Sequence, residues 1–128
     1  MIIADTSVWI KYFREPESQD GRELDSLLRE RQVIMVGVVI AEMLQGARSH
    51  EELSTLSSLL QDAPCIEASR TTWLRAGEVS MQLRRQGIVI PLTDLLIAGL
   101  AQERGHEVYA LDQHFQRIPG VTLHQVGG

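Results

Sequence analysis

Several kinds of residue are scarce in this chain, and each scarcity excludes a class of protein. The single cysteine, Cys65, excludes an internal disulfide and fits a reducing compartment, and we expect it to be a small buried hydrophobe. No apolar run approaches the roughly 18 residues that a membrane-spanning helix needs, and no basic-then-apolar leader opens the sequence. These absences favour a cytoplasmic protein without membrane segments.

Positive charge is also scarce, and nearly all of it is arginine. Lys11 is the only lysine, and the net charge is −5. This balance argues against binding of nucleic acid by bulk electrostatics, although it permits binding through metal ions and a local basic patch. Arginine suits that second mode because its planar group contacts phosphate with two hydrogen bonds.

The composition, 44% apolar and 23% charged over 128 residues, predicts one globular domain covering residues 1–128. Short apolar runs typical of buried strands occur at 2–5, 33–36, 64–67, 107–111 and 121–124. Helical patterns alternate with them at 6–14, 20–31, 38–47, 50–61, 69–86 and 93–104. The alternation predicts an α/β fold, a three-layer α/β/α sandwich around a mostly parallel sheet of four to five strands.

Two features predict where the core of this sandwich lies. The 93–104 segment is apolar on nearly all sides, so we expect it to be the central buried helix. Trp9 and Trp73 are expected in the core rather than as platforms for nucleic-acid bases. The four histidines are expected on the surface or in loops, with His114 a candidate near the functional site.

Four acids differ from the rest because apolar runs flank them; they are Asp5, Glu42, Asp94 and Asp112. A carboxylate in apolar surroundings is costly unless a cation or hydrogen bonds compensate it. Asp5 and Asp112 follow predicted strands, and ligands of open α/β sheets bind beyond the carboxyl ends of the strands. A shared divalent metal is the simplest common explanation, and it points to phosphate chemistry.

Each acid also has an alternative explanation. Asp5 and Asp94 could cap helices, and Asp112 could begin a turn. Glu42 lies inside an apolar helix, where its alternative is an ion pair with Arg48 or Arg84.

Four segments around these acids resemble PIN-domain nucleases, most closely the VapC toxins of bacterial type II toxin–antitoxin pairs. The segments are Ile3-Ala4-Asp5-Thr6-Ser7-Val8-Trp9-Ile10, Val39-Ile40-Ala41-Glu42-Met43-Leu44-Gln45-Gly46, Pro91-Leu92-Thr93-Asp94-Leu95-Leu96-Ile97-Ala98 and Tyr109-Ala110-Leu111-Asp112-Gln113-His114-Phe115. The resemblance covers essentially the whole chain. There are two departures: Ala110 stands where the family often has Thr or Ser, and His114 stands where a further acid is common.

The resemblance implies that Asp5, Glu42, Asp94 and Asp112 are the catalytic, metal-binding acids, with Thr6, Ser7 and Thr93 supporting them. All-oxygen ligands favour Mg²⁺ or Mn²⁺. Glu42 is either a ligand or a general base. The implied activity is that of an endoribonuclease toxin, in which metal-activated water cleaves RNA phosphodiester bonds.

The implied partners are looped or single-stranded RNA, a VapB-type antitoxin and a second copy of the chain in a homodimer. Candidate substrate-binding residues are Lys11, Arg14, Arg48 and Arg85. We expect the antitoxin in a groove between the helices at 20–31 and 50–61 and the first helix. Two alternatives stay open: a housekeeping RNA-processing nuclease without antitoxin, and a catalytically silent PIN scaffold. A receiver domain is excluded because Asp5 is unpaired and no lysine follows Lys11.

Overall fold

The strands and helices follow one another in the order that the sequence pattern predicts. The computed structural model describes residues 1–127. The strands are β1 (Ile2–Ala4), β2 (Met35–Val36), β3 (Cys65–Ile66) and β4 (Glu107–Tyr109). The helices are α1 (Thr6–Arg14), α2 (Gln19–Arg29), α3 (Gly37–Gln45), α4 (His50–Gln61), α5 (Arg70–Arg85) and α6 (Leu92–Arg104), and a 3₁₀ helix spans Gln113–Arg117. Among these described residues, no helix has both the length and the apolar character needed to cross a membrane.

The strands form a parallel arrangement. β1 pairs in parallel with β4, and β2 pairs in parallel with β3. Single parallel bridges, Ile2 to Val33 and Val108 to Leu123, connect these pairs to each other and to the C-terminal segment. The order is therefore β3–β2–β1–β4, with the Leu123 segment beyond β4. This confirms the predicted α/β class with a parallel sheet.

Every predicted strand is shorter in the structure than the sequence indicates, and the last two affect the position of Asp112. The run at 107–111 pairs only as far as Tyr109, because its partner β1 has three residues and then enters α1. The last bond of this ladder is donated by the Asp5 N–H to the Tyr109 carbonyl, at 2.9 Å. The predicted strand at 121–124 is reduced to the bridge at Leu123. Asp112 consequently lies in the loop beyond β4.

β1 and α6 form the centre of the core. All three residues of β1 are buried, as are the six apolar residues predicted for the central helix: Leu95, Leu96, Ile97, Ala98, Leu100 and Ala101. α1 packs against β1 and α2, and α6 packs against β4 and α5. Gly105, with φ at +70°, ends α6 in the left-handed conformation that glycine adopts readily.

The two tryptophans differ in environment. Trp9 is buried, as predicted, and its ring contacts those of Tyr12 and Phe13. The core prediction for Trp73 is wrong, because 56% of this residue is exposed. The buried stripe of α5 is Thr72, Ala76, Ser80 and Leu83. Trp73 lies one position further on, about 100° around the helix, and so leaves the core.

The buried prediction for Cys65 is also wrong, since the residue is exposed. Within residues 1–127, β3 has two residues and pairs only with β2, so its outer side is a free edge of the sheet. An exposed edge leaves side chains accessible that a central strand would bury.

A polar network joins α2, β4 and the C-terminal segment. His124 Nε2 lies 2.7 Å from Glu23 Oε2, and His124 Nδ1 lies 3.0 Å from Glu107 Oε1. The Tyr109 hydroxyl donates to the Asp20 carboxylate, and the Tyr109 ring packs against His124. His124 lies in a loop, as predicted, although only 14% of its side chain is exposed.

Candidate active site

Asp5 directly follows β1, and its carboxylate is buried in the protein. It is 6% exposed, and Ser7 Oγ donates a 2.5 Å hydrogen bond to its Oδ1. Asp5 occupies the N-cap position of α1, but its side chain does not cap the helix. Burial raises the pKa of the Asp5 carboxyl to about 6; the Ser7 hydrogen bond opposes the rise, and the charge of Asp94 adds to it. The structure thus contains a carboxylate whose negative charge is poorly compensated.

Asp94 lies in the first turn of α6, whose N-cap is Pro91, so its side chain is not the cap. Burial raises the pKa of the Asp94 carboxyl, contact with His114 opposes the rise, and the charge of Asp112 adds to it. Since Asp94 also raises the pKa of Asp5, the three aspartates are linked electrostatically. Segments far apart in sequence therefore bring their negative charges together.

Glu42 projects from α3 towards the start of α1. Thr6 Oγ1 donates a hydrogen bond of 2.9 Å to Glu42 Oε1. Glu42 forms no ion pair with Arg48 or Arg84 in the described part of the chain, so the alternative explanation of a structural ion pair is wrong. Because Thr6 follows Asp5 directly, this bond places Glu42 beside the same end of β1.

Asp112 is exposed and begins the 3₁₀ helix, where its Oδ1 accepts a 2.9 Å hydrogen bond from the His114 N–H. Locally, Asp112 therefore acts as the turn residue that the alternative explanation describes, because its side chain bonds to the backbone two residues on. Ser7 Oγ also accepts from the Leu111 N–H at 3.2 Å. One serine hydroxyl therefore connects Asp5 to the segment that carries Asp112.

His114 lies between two of the acids. Its Nδ1 is 3.0 Å from Asp94 Oδ2 and 3.2 Å from Asp112 Oδ1. The sequence marked His114 as a candidate near the site, and the structure places it in direct contact with two predicted ligands.

The supporting residues divide into two groups. Thr6 and Ser7 bond to Glu42 and Asp5, as described above. Thr93 is a half-buried residue in the first turn of α6, and among residues 1–127 its hydroxyl makes no hydrogen bond to the four acids. Its supporting role stays a prediction.

The donor chemistry of the site fits a hard divalent cation, because carboxylate oxygens are the ligands that Mg²⁺ and Mn²⁺ prefer. The undercompensated Asp5 carboxylate is consistent with such a cation. As the side chains stand, however, no three His, Cys, Asp or Glu residues within 1–127 surround a common point at metal-ligand geometry. Asp94 and Asp112 contact the His114 ring instead.

The predicted substrate-binding cations lie in different places. Arg14 and Arg48 line a groove of about 480 Å³ beside Glu42. Lys11 forms an ion pair with Glu15 at 3.0 Å, and neither Lys11 nor Arg85, in the last turn of α5, lines this groove.

One wall of this groove differs from the groove predicted for the antitoxin, which was to lie between the first helix and the helices at 20–31 and 50–61. Its lining comes from α1, α3 and α4 and the loop between the last two: Ile10, Phe13, Arg14, Glu42, Met43, Gly46, Arg48, Ser49, Glu51, Glu52, Thr55 and Leu56. α2 does not contribute, because it packs against α1 and buries Leu24 and Leu27.

The family model of the PIN domain matches residues 2–121. The chain belongs to the PIN-domain family. The VapC ribonuclease Mb1587 of Mycobacterium bovis is 31% identical over 126 residues, 95% of this chain and 94% of that protein. Ribonuclease VapC21 of Mycobacterium tuberculosis is 31% identical over 106 residues, which are 80% of this chain and 77% of that protein. This PIN domain therefore resembles VapC proteins over nearly its full length, which confirms the resemblance carried by the four segments.

Solved structures share the fold of this PIN domain. The VapBC2 structure of Rickettsia felis bound to a promoter DNA fragment aligns over 97% of this chain and 98% of that chain, with a TM-score of 0.79 and 22% identity. VapC20 of Mycobacterium tuberculosis, a Sarcin-Ricin loop cleaving toxin, aligns over 98% of this chain and 100% of that chain, with a TM-score of 0.74 and 16% identity.

Proposed function

We propose that this PIN domain is a Mg²⁺- or Mn²⁺-dependent endoribonuclease, the VapC toxin of a VapBC toxin–antitoxin module. The observation that carries the proposal is the convergence of the four acids. Asp94 and Asp112 contact the same His114 nitrogen. Ser7 Oγ bonds to Asp5 and to the Leu111 N–H, and Thr6 bonds to Glu42. Relatives 31% identical over most of the chain are named VapC ribonucleases, which supports the same activity.

The four acids would hold the cation, Asp5 from the buried end of β1 and the others around it. A divalent cation supplies Lewis acidity, a nucleophile at neutral pH and charge compensation for the phosphodiester. Ser7 fixes the orientation of Asp5, and Thr6 fixes that of Glu42. Glu42 acts in that fixed orientation as a further ligand or as the general base.

RNA would reach the acids along the groove beside Glu42. Arg14 and Arg48 line this groove and provide local positive charge in a chain whose net charge is −5. Single-stranded or looped RNA fits such a site, because its backbone is flexible and its bases are unstacked.

The same groove suits a VapB-type antitoxin. Its apolar lining, with Ile10, Phe13, Met43 and Leu56, can receive the apolar face of an amphipathic segment, and Arg14 and Arg48 can pair with acidic side chains. VapBC complexes are among the structures that share this fold. A homodimer is the proposed oligomeric state.

The activity is tested by cleavage of a structured RNA with Mn²⁺ or Mg²⁺, with and without EDTA. Asp5→Ala and Asp94→Asn should each lower the rate by on the order of 10²–10³, because each removes a ligand of the cation that stabilises the transition state. Asp62→Asn, a change of an exposed acid at the end of α4, should leave the rate unchanged. Cleavage that survives EDTA or either site variant would exclude the mechanism.

The partner is tested separately. Thr55→Arg places a bulky cation in the groove and should abolish capture by a VapB-type antitoxin, whereas Ser54→Arg lies outside the groove on the same helix and should preserve capture. Equal capture by both variants would contradict this binding site.

A further inference from the structure

His124 is a largely buried titratable side chain outside the candidate site, and it bonds to a carboxylate on each side. Its Nε2 lies 2.7 Å from Glu23 Oε2 on α2, and its Nδ1 lies 3.0 Å from Glu107 Oε1 on β4. The ring therefore links α2 and β4 to the C-terminal segment, residues 121–127.

Two carboxylates require two donors on the ring. A neutral imidazole has one N–H and one lone pair, so it would donate to one carboxylate and turn the lone pair towards the other. Imidazolium donates from both nitrogens, and the 2.7 Å bond to Glu23 has the length of a charge-assisted hydrogen bond. The geometry therefore selects the protonated ring.

The groups around the ring favour the same form. In the described part of the chain, Glu23 and Glu107 form ion pairs only with His124, and the rest of the C-terminal segment contains no charged side chain. The Tyr109 ring packs against His124, and its hydroxyl donates to Asp20. Burial raises the pKa of the Tyr109 hydroxyl, and the bond to Asp20 adds to the rise. Tyr109 therefore stays a donor over the range in which imidazole titrates.

The C-terminal segment has few other polar attachments to β4. The Val108 N–H donates to the Thr122 carbonyl at 2.9 Å, and the His124 N–H donates to the Val108 carbonyl at 2.8 Å. Within residues 121–127, His124 is the residue whose side chain forms hydrogen bonds. The position of the segment on β4 therefore depends on this ring.

β4 connects the ring to the candidate site. The Tyr109 carbonyl accepts the Asp5 N–H at 2.9 Å, while the side chain of the same residue packs against His124. A displacement of β4 would therefore reach the backbone of Asp5.

We propose that His124 is a proton-dependent latch. As imidazolium it fastens the C-terminal segment to α2 and β4, and through β4 it positions Asp5. When the ring loses its proton, one carboxylate loses its donor and faces a lone pair, and the segment separates from β4. The consequence for RNA cleavage rests on the proposed function, in which Asp5 holds the cation.

The protonation of the ring is tested by NMR of the full chain at about pH 5.5, within the range in which imidazole titrates. Both ring N–H protons of His124 should be detected, because hydrogen bonds protect them from exchange with water. The exposed His50 should show neither. Detection of a single His124 ring N–H, or of none, would overturn the proposal.

The latch is tested by amide hydrogen exchange at about pH 5.5 and about pH 9, below and above most of that range. In wild type, the protection factors of the Val108 and His124 N–H groups should fall roughly 10- to 100-fold at the higher pH, the loss expected for one hydrogen bond to a charged group. The Asp5 N–H should lose protection in the same direction. His124→Phe keeps a ring beside Tyr109 and should show low protection at both pH values, whereas His50→Phe should behave as wild type.

Equal protection of Val108 in wild type at the two pH values would overturn the latch, and this readout does not depend on any variant folding. Unchanged protection of the Asp5 N–H alone would overturn the coupling to the candidate site. Both measurements use neither metal nor RNA, so they can fail while the cleavage assay with Asp5→Ala still supports the proposed function, and they can succeed if that assay fails.

Discussion

Replacing Asp5 with asparagine should make the cation-free protein more stable above pH 6, although Asp5 is a proposed metal ligand. Burial raises the pKa of its carboxyl from the ordinary 3.8 to about 6. That rise corresponds to about 3 kcal/mol of unfavourable free energy once the group is ionised. The asparagine side chain would carry no charge, and its amide oxygen could still accept the Ser7 hydrogen bond.

The sign of the pH dependence follows from proton linkage. Between pH 3.8 and 6 the folded protein holds the Asp5 proton more firmly than the unfolded chain does, so wild-type stability falls as the pH rises through this window. The advantage of Asp5→Asn should therefore grow from about 1 kcal/mol at pH 4.5 to about 3 kcal/mol at pH 7.5.

The assay is urea unfolding in EDTA at pH 4.5, 5.5, 6.5 and 7.5, with Asp62→Asn as the exposed control. Saturating Mn²⁺ should then reverse the order, because a cation at 1,000 times its dissociation constant adds about 4.1 kcal/mol to wild type and little to a variant that lacks the Asp5 carboxylate. Parallel pH curves for wild type and Asp5→Asn, or a less stable Asp5→Asn at pH 7.5, would refute the reasoning.

Three further predictions concern other contacts. Thr6→Val removes the hydrogen bond to Glu42 and should lower RNA cleavage about tenfold, while the exposed Thr71→Val should not; equal rates would remove Thr6 from the site. Arg14→Gln and Arg48→Gln should each reduce the salt slope of RNA affinity by about 0.7, whereas Arg22→Gln, outside the groove, should leave it unchanged; identical slopes for all three would place RNA elsewhere. Tyr109→Phe, which removes the bond to Asp20, should lower the free energy of unfolding by about 2 kcal/mol, and a loss no larger than that of Tyr12→Phe would show that the bond contributes little.

Most of the fold could be predicted because buried strands and helices leave local patterns. The continuous apolar residues of β1 and the all-round apolar character of α6 need no long-range information. Trp73 was mispredicted because the 3.6-residue period locates a buried stripe only to within a neighbouring position, and Trp73 borders the stripe of α5. The point at which β4 ends depends on the length of its partner β1, and the sequence of β4 alone carries no information about that length.

The candidate site, like the fold, has features that local sequence predicts and features that depend on distant residues. The sequence motifs identify the four acids, and the structure brings the charges of Asp5, Asp94 and Asp112 into mutual influence. The contacts around them were not predictable from local pattern, because Thr6 and Glu42 are 36 positions apart and His114 and Asp94 are 20 apart. His124 contacts Glu23, which is 101 positions away in sequence, so local pattern did not predict this contact either.

The bridge between Val108 and Leu123 has a practical consequence for shortened forms of the protein. The Val108 N–H donates to the Thr122 carbonyl at 2.9 Å, and the His124 N–H donates to the Val108 carbonyl at 2.8 Å. Deleting residues after 120 would strip this cover from β4 and leave a bare strand edge, which can recruit strands from other molecules. Truncated preparations should therefore aggregate, whereas a purification tag attached beyond residue 127 leaves that edge protected.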